Sequence, residues 1–294
     1  PSIMGENLIV PQGRVIIYGH PGSYKSFATA QLSRAMANGV DWLEYEMKVK
    51  VRTLYLQGEV VPKMMQGRGL GMRTEYGQSD NTFYCYARDL TLKSESLWQE
   101  LTDRIGEAKI EFVFLDPLSQ LLGGSEVDDG HFRAWLDRLD VLSTETNSGV
   151  VLVHHSRKTV WRGDGTSYSG AQDLRGWSGL EGWADSIIKL SSPKRSQARL
   201  EWQKVRHNEK PEDKWLHFNQ KNGILQVSDE DPATIIRRLL SVGPRMKGDI
   251  DEALRKEAGM KYNKANDLRK ALVAKGEITF DIMEDGKTRM YRMV

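Results

Sequence analysis

A glycine-rich segment near the N-terminus has the residue types of a loop that binds phosphate groups. It runs Gly19-His-Pro-Gly-Ser-Tyr-Lys-Ser26, between an apolar run and a stretch of helical periodicity. In such a loop, backbone N–H groups turn inward around phosphates, and the following helix adds the positive end of its dipole. A lysine then reaches the β- and γ-phosphates, and the next hydroxyl binds Mg²⁺. Lys25 and Ser26 occupy these positions, so we predict that the segment binds ATP with Mg²⁺.

The segment departs from the usual pattern G-x-x-x-x-G-K-[ST] at one position. Tyr24 stands where the second glycine belongs, and Gly22, two places earlier, is expected to supply the flexibility. An ordinary glycine turn with a surface lysine is the alternative. The order of strand, loop and helix favours the phosphate loop. The residues that we expect to contact the nucleotide are Gly19, Pro21, Gly22, Ser23, Tyr24, Lys25, Ser26 and Phe27.

Two carboxylates follow later apolar runs and could serve the same reaction. Asp116 ends the run 111–116, where it could hold Mg²⁺, although an aspartate after a strand is often only a helix cap. Glu59 ends the run 54–59, where it could orient and deprotonate the attacking water. A solvated loop acid is the alternative for Glu59. We assign metal binding to Asp116 with Ser26, and the role of general base to Glu59.

A pair of histidines ends another apolar run, 151–155. A histidine beside the γ-phosphate could report whether that phosphate is present, and we assign this sensor role to His155. A purely structural histidine is the common alternative. A metal site is a further alternative, but no third ligand lies at a convincing spacing.

These residues require a defined set of supporting elements. Short apolar runs predict strands at 14–18, 52–56, 112–115 and 150–153. Apolar residues at helical spacing predict helices at 27–37, at 94–108, and after a cap at Asp128 or Asp129. Alternating strands and helices predict an α/β fold with a mainly parallel sheet that is covered on both faces. Four strand-like runs between 187 and 227 predict an antiparallel extension of that sheet.

The last 64 residues read as a separate unit. After a linker at 228–232, three helical stretches precede two strand-like runs around Asp285-Gly286, which resembles a winged helix-turn-helix domain. We therefore predict domains at 1–230 and 231–294. The second carries 14 Lys+Arg and 10 Asp+Glu, a net charge of +4 that favours a polyanionic partner. Its third helix would read DNA through Lys264, Arg269 and Lys270, with protein docking as the alternative.

Composition limits the compartment. The single cysteine, Cys85, excludes an intrachain disulfide and a cysteine-clustered zinc site, and it fits a reducing cytoplasm. No apolar run approaches the ~20 residues that a membrane helix needs. The N-terminal residues lack the pattern of a signal peptide. We expect a cytoplasmic protein that does not enter a membrane.

The order of these motifs resembles that of RecA-like ATPases. Phosphate loop, glutamate, Walker B aspartate and His-His strand end follow one another over residues 8–227, most similarly to the RepA-like branch of hexameric replicative helicases. The form Gly-Ser-Tyr-Lys-Ser and the segment 175–185 also resemble that branch. The resemblance implies a motor that hydrolyses ATP and acts on DNA, with single-stranded DNA as the expected form. It also implies a homo-oligomeric ring, which we expect to be hexameric.

The resemblance implies two further groups of residues. Lys204 and Arg206 resemble the basic finger that one subunit inserts into its neighbour's ATP site, with a basic edge strand as the alternative. The segment 156–174 stands where RecA-like proteins have a DNA-contacting loop, with a flexible surface loop as the alternative. Its basic residues would follow phosphates and its tryptophan would stack on a base. These residues are Arg157, Lys158, Trp161 and Arg162.

The interpretation that follows is a replicative DNA helicase of a plasmid, phage or other mobile element. One alternative is an ATPase that remodels DNA or loads a recombination protein without unwinding. A second is a DNA-binding regulator that uses ATP as a switch. A small-molecule P-loop kinase is disfavoured by the histidine strand end and the basic finger, because a kinase needs no neighbouring subunit.

Overall fold

The computed structural model describes residues 2–86, 95–121, 129–156, 179–194, 196–228, 232–258 and 262–294. Within these ranges the chain forms two compact units. One comprises Pro1–Ser192 with Ala198–Val227, and the other comprises Pro193–Gln197 with Ser228–Val294. Each unit has a hydrophobic core of its own.

Nine strands of the described ranges form one sheet in the larger unit. They are β1 (Arg14–Gly19), β2 (Thr53–Gln57), β3 (Thr82–Tyr86), β4 (Phe112–Asp116), β5 (Gly149–His155), β6 (Ser186–Lys194), β7 (Gln197–Val205), β8 (Lys214–Asn219) and β9 (Ile224–Val227). The helices of this unit are α1 (Lys25–Asn38), α2 (Pro62–Tyr76), α3 (Glu95–Glu107), α4 (Leu118–Leu121), α5 (Asp129–Thr146) and α6 (Gly179–Trp183). The strand order is β3-β2-β4-β5-β1-β6-β7-β8-β9.

The predicted α/β fold with a mainly parallel sheet is confirmed. β1 pairs in parallel with β5 and β6, and β2 pairs in parallel with β3 and β4. β4 also lies parallel to β5. At the far edge, β8 and β9 are antiparallel, as the closely spaced runs near the end of this unit predict.

Both faces of the sheet are covered, which explains why its strands read as unbroken apolar runs. In β1, Val15 and Ile17 belong to one hydrophobic cluster, and Ile16 and Tyr18 belong to the other. Helix α1 packs in the first cluster, through residues such as Ala28, Leu32, Ala35 and Met36. The apolar stripe of α5 packs in the second, through Phe132, Trp135, Leu136, Leu139 and Leu142.

Two elements of the larger unit were not predicted from the sequence. Helix α2 has three glycines and only two buried residues, Met72 and Tyr76, so its apolar periodicity is weak. Strand β3 is the edge strand beside β2, and Phe83 and Tyr84 are substantially exposed. Helix α1 also begins two residues before the predicted start, because its first turn is part of the phosphate loop.

The smaller unit combines three helices with a three-stranded antiparallel sheet. Its elements are α7 (Pro232–Ser241), β10 (Arg245–Met246), α8 (Lys247–Ala258), α9 (Tyr262–Ala274), β11 (Ile278–Ile282) and β12 (Arg289–Met293). The sheet order is β10-β12-β11. The Asp285 carboxylate accepts the backbone N–H of Lys287 and Thr288 in the turn between β11 and β12. In the described ranges, no helix has the length and apolarity needed to cross a membrane.

Candidate active site

The ends of four parallel strands bring the predicted site residues to one edge of the sheet. Gly19 at the end of β1 is the register partner of His155 at the end of β5. Gln57 at the end of β2 is the register partner of Asp116 at the end of β4. Ligands of open α/β sheets bind beyond the carboxyl ends of the strands. This edge is therefore the candidate active site.

The loop between β1 and α1 turns where small residues are required. A Cβ on Gly19 would lie 2.0 Å from the carbonyl oxygen of Leu190, so a larger residue would collide with β6. Gly22 has a φ of 78°, in the left-handed region that glycine tolerates. Tyr24 also has a positive φ, 66°, and its ring stacks on Phe218 with centroids 4.5 Å apart. This ring contact offsets part of the strain at the position where the usual pattern has glycine.

Lys25 is held inside the loop. Its side chain is only 5% exposed, and Nζ donates a hydrogen bond to the carbonyl oxygen of His20 over 2.7 Å. Burial lowers the pKa of Lys25 to about 8, and the charges of Asp116 and Glu59 oppose that shift. An ammonium with a carbonyl partner at this position can exchange that partner for phosphate oxygens.

Asp116 and Ser26 form a pair of oxygen ligands beside the lysine. Ser26 Oγ donates to Asp116 Oδ1 over 3.0 Å, and the Tyr55 hydroxyl donates to Oδ2 over 2.6 Å. Asp116 is fully buried, and burial raises the pKa of its carboxyl while the hydrogen bonds from Tyr55 and Ser26 lower it. A hydroxyl beside a carboxylate suits Mg²⁺, which prefers hard oxygen ligands. The residues present therefore fit the metal that we predicted.

Gln57 links the two candidate carboxylates, and sequence reasoning did not single it out. Its Nε2 donates to Asp116 Oδ2 over 3.2 Å. Its Oε1 accepts the backbone N–H groups of Glu59, over 2.7 Å, and Val60, over 3.2 Å. One buried amide thus fixes both the metal-binding carboxylate and the backbone that carries Glu59. The available signal was a polar residue at the end of an apolar strand.

Glu59 leaves the end of β2 with an exposed side chain. Its charge raises the pKa of both Lys25 and Asp116, which places it within electrostatic reach of the phosphate loop. An exposed carboxylate at this point can accept a proton from a water molecule and still stay out of the metal-binding pair.

Arg68 is a second residue that the sequence did not indicate. It lies on α2, and its guanidinium carbon sits 4.2 Å from the centre of the Phe27 ring. Its Nη1 is buried and has no hydrogen-bond partner among the described residues. The arginine charge lowers the pKa of Asp116. Arg68 therefore adds positive charge next to the predicted nucleotide-contacting residue Phe27.

The histidine strand end borders the loop. His155 is half-buried beside Gly19, and His154 is buried. The next residue, Ser156, donates its backbone N–H to Gly19 O, and its hydroxyl lies 2.9 Å from Nδ1 of His20. This position adjoins the loop, as a γ-phosphate sensor requires.

Lys204 and Arg206 lie at the opposite edge of the sheet from their own phosphate loop. Arg206 pairs with Asp185 over 2.9 Å and donates to the carbonyl oxygens of Gly182 and Ala184. Asp185 in turn accepts the backbone N–H of Arg14, at the start of β1. Lys204 Nζ donates to the carbonyl oxygen of Glu181 over 2.6 Å. The two basic residues therefore cannot act on the ATP of their own subunit.

The predicted DNA-contacting residues have three different outcomes. Arg157, Lys158, Trp161 and Arg162 lie outside the described residues, as does the side chain of Lys264 in α9. Lys270 is exposed on α9. Arg269 is only 1% exposed and pairs with Asp251. Burial contradicts the prediction that Arg269 contacts DNA, because charge patterning alone does not separate an internal ion pair from a surface cation.

Comparisons with known proteins agree with this geometry. A protein-family model described as an AAA domain matches residues 2–160. No curated protein matches the sequence significantly. A solved helicase ATPase domain is 16% identical, with a TM-score of 0.55 over 74% of this chain and 85% of its own. A KaiC-like protein from the hyperthermophilic archaeon Pyrococcus horikoshii OT3 is 11% identical, with a TM-score of 0.53 over 74% of this chain and 90% of its own. The larger unit has the RecA-like fold of P-loop ATPases.

Proposed function

The chain belongs to the AAA domain family, and from that membership we propose that it is an ATP-hydrolysing motor that acts on DNA. One observation carries the proposal. The Ser26 hydroxyl, the Asp116 carboxylate and the Lys25 ammonium converge at the end of β1, where the phosphates of a nucleotide would lie. Glu59 stands close enough to influence the pKa of two of these groups.

The residues of the site divide the work of hydrolysis. Lys25 and the backbone of the loop bind the β- and γ-phosphates, and Ser26 and Asp116 hold Mg²⁺. The metal, when bound, neutralises charge that develops on the phosphates. Glu59 accepts the proton of the attacking water, and Gln57 keeps the Glu59 backbone in place. His155 senses the γ-phosphate beside Gly19.

The active site is completed by a neighbouring subunit in this proposal. Arg206 and Lys204 are too far from their own loop to serve it, since they lie at the starting end of β1. In a homo-oligomeric ring they would reach the ATP of the next subunit. An arginine supplied in this way is worth ~10³–10⁵ in rate where it has been measured. We propose a hexameric ring of the RepA-like helicase branch.

DNA is the proposed partner of both units. The segment 157–178 contains the predicted basic and aromatic contacts, and it follows His155 directly in the chain. The smaller unit, which we interpret as a winged helix-turn-helix domain, adds the exposed Lys270. Single-stranded DNA suits the first set, because a tryptophan stacks on unpaired bases.

Two assays test the proposal together. ATP hydrolysis is measured with and without single-stranded DNA, and unwinding is measured on a forked duplex. A helicase shows DNA-stimulated hydrolysis and unwinding. A remodelling or loading ATPase shows stimulation without unwinding, and a switch binds ATP with negligible turnover.

The Lys25→Ala variant is the control for these assays. It removes a positive charge from the phosphate loop, so hydrolysis should be abolished and ATP binding weakened. Undiminished turnover in this variant would remove the basis for the proposed active site. The fold should persist, because Lys25 gives its hydrogen bonds only to loop residues in the described structure.

A further inference from the structure

A cavity of about 650 Å³ lies between α2 and the strands β2 and β3. One wall is a stripe of α2 that includes Met65, Gly69 and Arg73, spaced four residues apart. The opposite wall includes Gln57 at the end of β2 and Tyr84 on β3. The volume falls in the range of sites that hold small molecules. The nucleotide loop 19–26 contributes no residue to its described lining.

The charge of the cavity is positive. Its described lining includes Arg34 and Arg73 and contains no carboxylate. Arg34 is 7% exposed, and its Nε has no hydrogen-bond partner in the described part of the chain. Its guanidinium also bonds the phenol of Tyr84. A buried cation without a carboxylate partner favours an anion nearby.

The rest of the lining is apolar or aromatic. Leu70 is 62% exposed although its side chain borders the cavity, and the aromatic Tyr84 is 39% exposed. Met65 is half-buried in the same wall. Two arginines among such side chains suit a ligand that has a flat apolar body and an anionic group.

The cavity shares a wall with the candidate active site. Gln57 lines the cavity, and the same amide bonds the Asp116 carboxylate and the backbone of Glu59. Tyr84 contacts Tyr55, with ring centroids 5.7 Å apart, and Tyr55 also bonds Asp116. A ligand against Gln57 and Tyr84 would therefore act on groups that hold the metal-binding carboxylate.

We propose that this cavity is a regulatory site for a small organic anion with a flat apolar body, and that its occupation changes ATP hydrolysis through Gln57. Binding itself does not depend on the function proposed above, whereas the effect on hydrolysis does. Separate measurements of binding and of hydrolysis therefore keep the two proposals distinguishable.

Binding is tested on the full chain with a pair of dyes. The anionic probe is 8-anilinonaphthalene-1-sulfonate, and the uncharged one is N-phenyl-1-naphthylamine. In Gly69→Leu the new side chain enters open space in the cavity, since a Cβ on Gly69 meets no atom within 4 Å. Gly67→Leu is the matched control, because Gly67 is also free of Cβ contacts but does not line the cavity. Arg73→Gln removes a charge from the lining.

We expect the anionic dye to bind with one-to-one stoichiometry to the wild type and to Gly67→Leu, and to lose this site in Gly69→Leu. Arg73→Gln should weaken the anionic dye by roughly tenfold and leave the uncharged dye unchanged, as loss of a charged hydrogen bond predicts. Equal binding to the two leucine variants, or equal weakening of both dyes, would overturn the anion site.

Coupling is tested by saturating the anionic site during hydrolysis. We expect the rate of the wild type and of Gly67→Leu to change at least about twofold, and that of Gly69→Leu to stay constant. An unchanged wild-type rate with the site filled would overturn the regulatory role. If no variant hydrolyses ATP, the proposed function fails, and coupling is judged by the same comparison on the affinity for a fluorescent ATP analogue.

Discussion

At the scale of single residues, Glu59 separates binding from chemistry. Glu59→Gln keeps the shape of the side chain but removes the carboxylate that accepts a proton. We expect ATP affinity to be retained while kcat falls by ~10²–10⁴. A titration with a fluorescent ATP analogue and a steady-state hydrolysis assay measure the two effects. The side chain is exposed, so thermal stability should not change.

Glu107→Gln is the matched control, since this exposed glutamate ends α3 and lies outside the site. It should hydrolyse ATP at the wild-type rate. Loss of ATP affinity with surviving hydrolysis in Glu59→Gln would assign Glu59 another role.

Gln57 is a positioning residue, and its replacement should affect metal dependence as well as rate. Gln57→Leu leaves Asp116 without one donor and two backbone N–H groups without their acceptor. The cost of such unpaired groups is about 1–3 kcal/mol, so we expect kcat to fall about tenfold. The Mg²⁺ concentration for half-maximal activity should rise, and nucleotide affinity without Mg²⁺ should stay unchanged. A lower melting temperature alone, with the metal dependence intact, would indicate a merely structural glutamine.

The sequence indicates residues of the site by their order in the chain and misses those that act across strands. The phosphate loop, Asp116 and Glu59 follow strands whose apolar runs are visible. Tyr55 and Gln57 reach Asp116 only because β2 and β4 are neighbours in the sheet. Arg269 shows the opposite error, since nothing in its local sequence reveals that Asp251 lies opposite in the core.

At the scale of elements, α2 is the helix that the sequence hides, and its glycines explain why. A Cβ on Gly67 meets no atom within 4 Å, whereas a Cβ on Gly71 would lie 1.8 Å from the carbonyl oxygen of Asn222. Gly67→Ala should therefore raise the free energy of unfolding by about 0.5–1 kcal/mol, because alanine favours the helix. Gly71→Ala should lower it by about 1–3 kcal/mol, because α2 must move away from Asn222.

Urea denaturation of the two alanine variants measures this difference within one helix. The same substitution with opposite signs identifies Gly71 as a contact residue and Gly67 as a flexible one. Equal effects at both positions would show that α2 does not pack against the turn before β9. The strands needed no such detail, since their apolar runs predict them from burial on both faces.

At the scale of the whole molecule, the chain divides its charge between two units. The described smaller unit begins at Ser228, apart from the segment 193–197, close to the boundary that we predicted after residue 230. The linker and the change from alternating to helical patterns make that boundary visible in the sequence. The assembly is not visible in the same way, because a ring depends on contacts between copies of the chain.

The ring makes its own prediction, which concerns Arg206. If Arg206 completes a neighbour's site, Arg206→Ala should abolish hydrolysis while each subunit still binds ATP. The substitution also removes the ion pair with Asp185, so ATP affinity and melting temperature are the controls for folding. Mixing Arg206→Ala with Glu59→Gln should restore part of the activity, because a mixed interface can pair an intact Glu59 with an intact Arg206. Two groups that act within one subunit cannot complement each other in this way. The measurement is the hydrolysis rate against the mixing ratio, after exchange of subunits has been demonstrated separately. A rate that stays at the background of both variants, with mixed oligomers present, would remove Arg206 from the neighbour's site and favour the ATP-switched regulator over the motor.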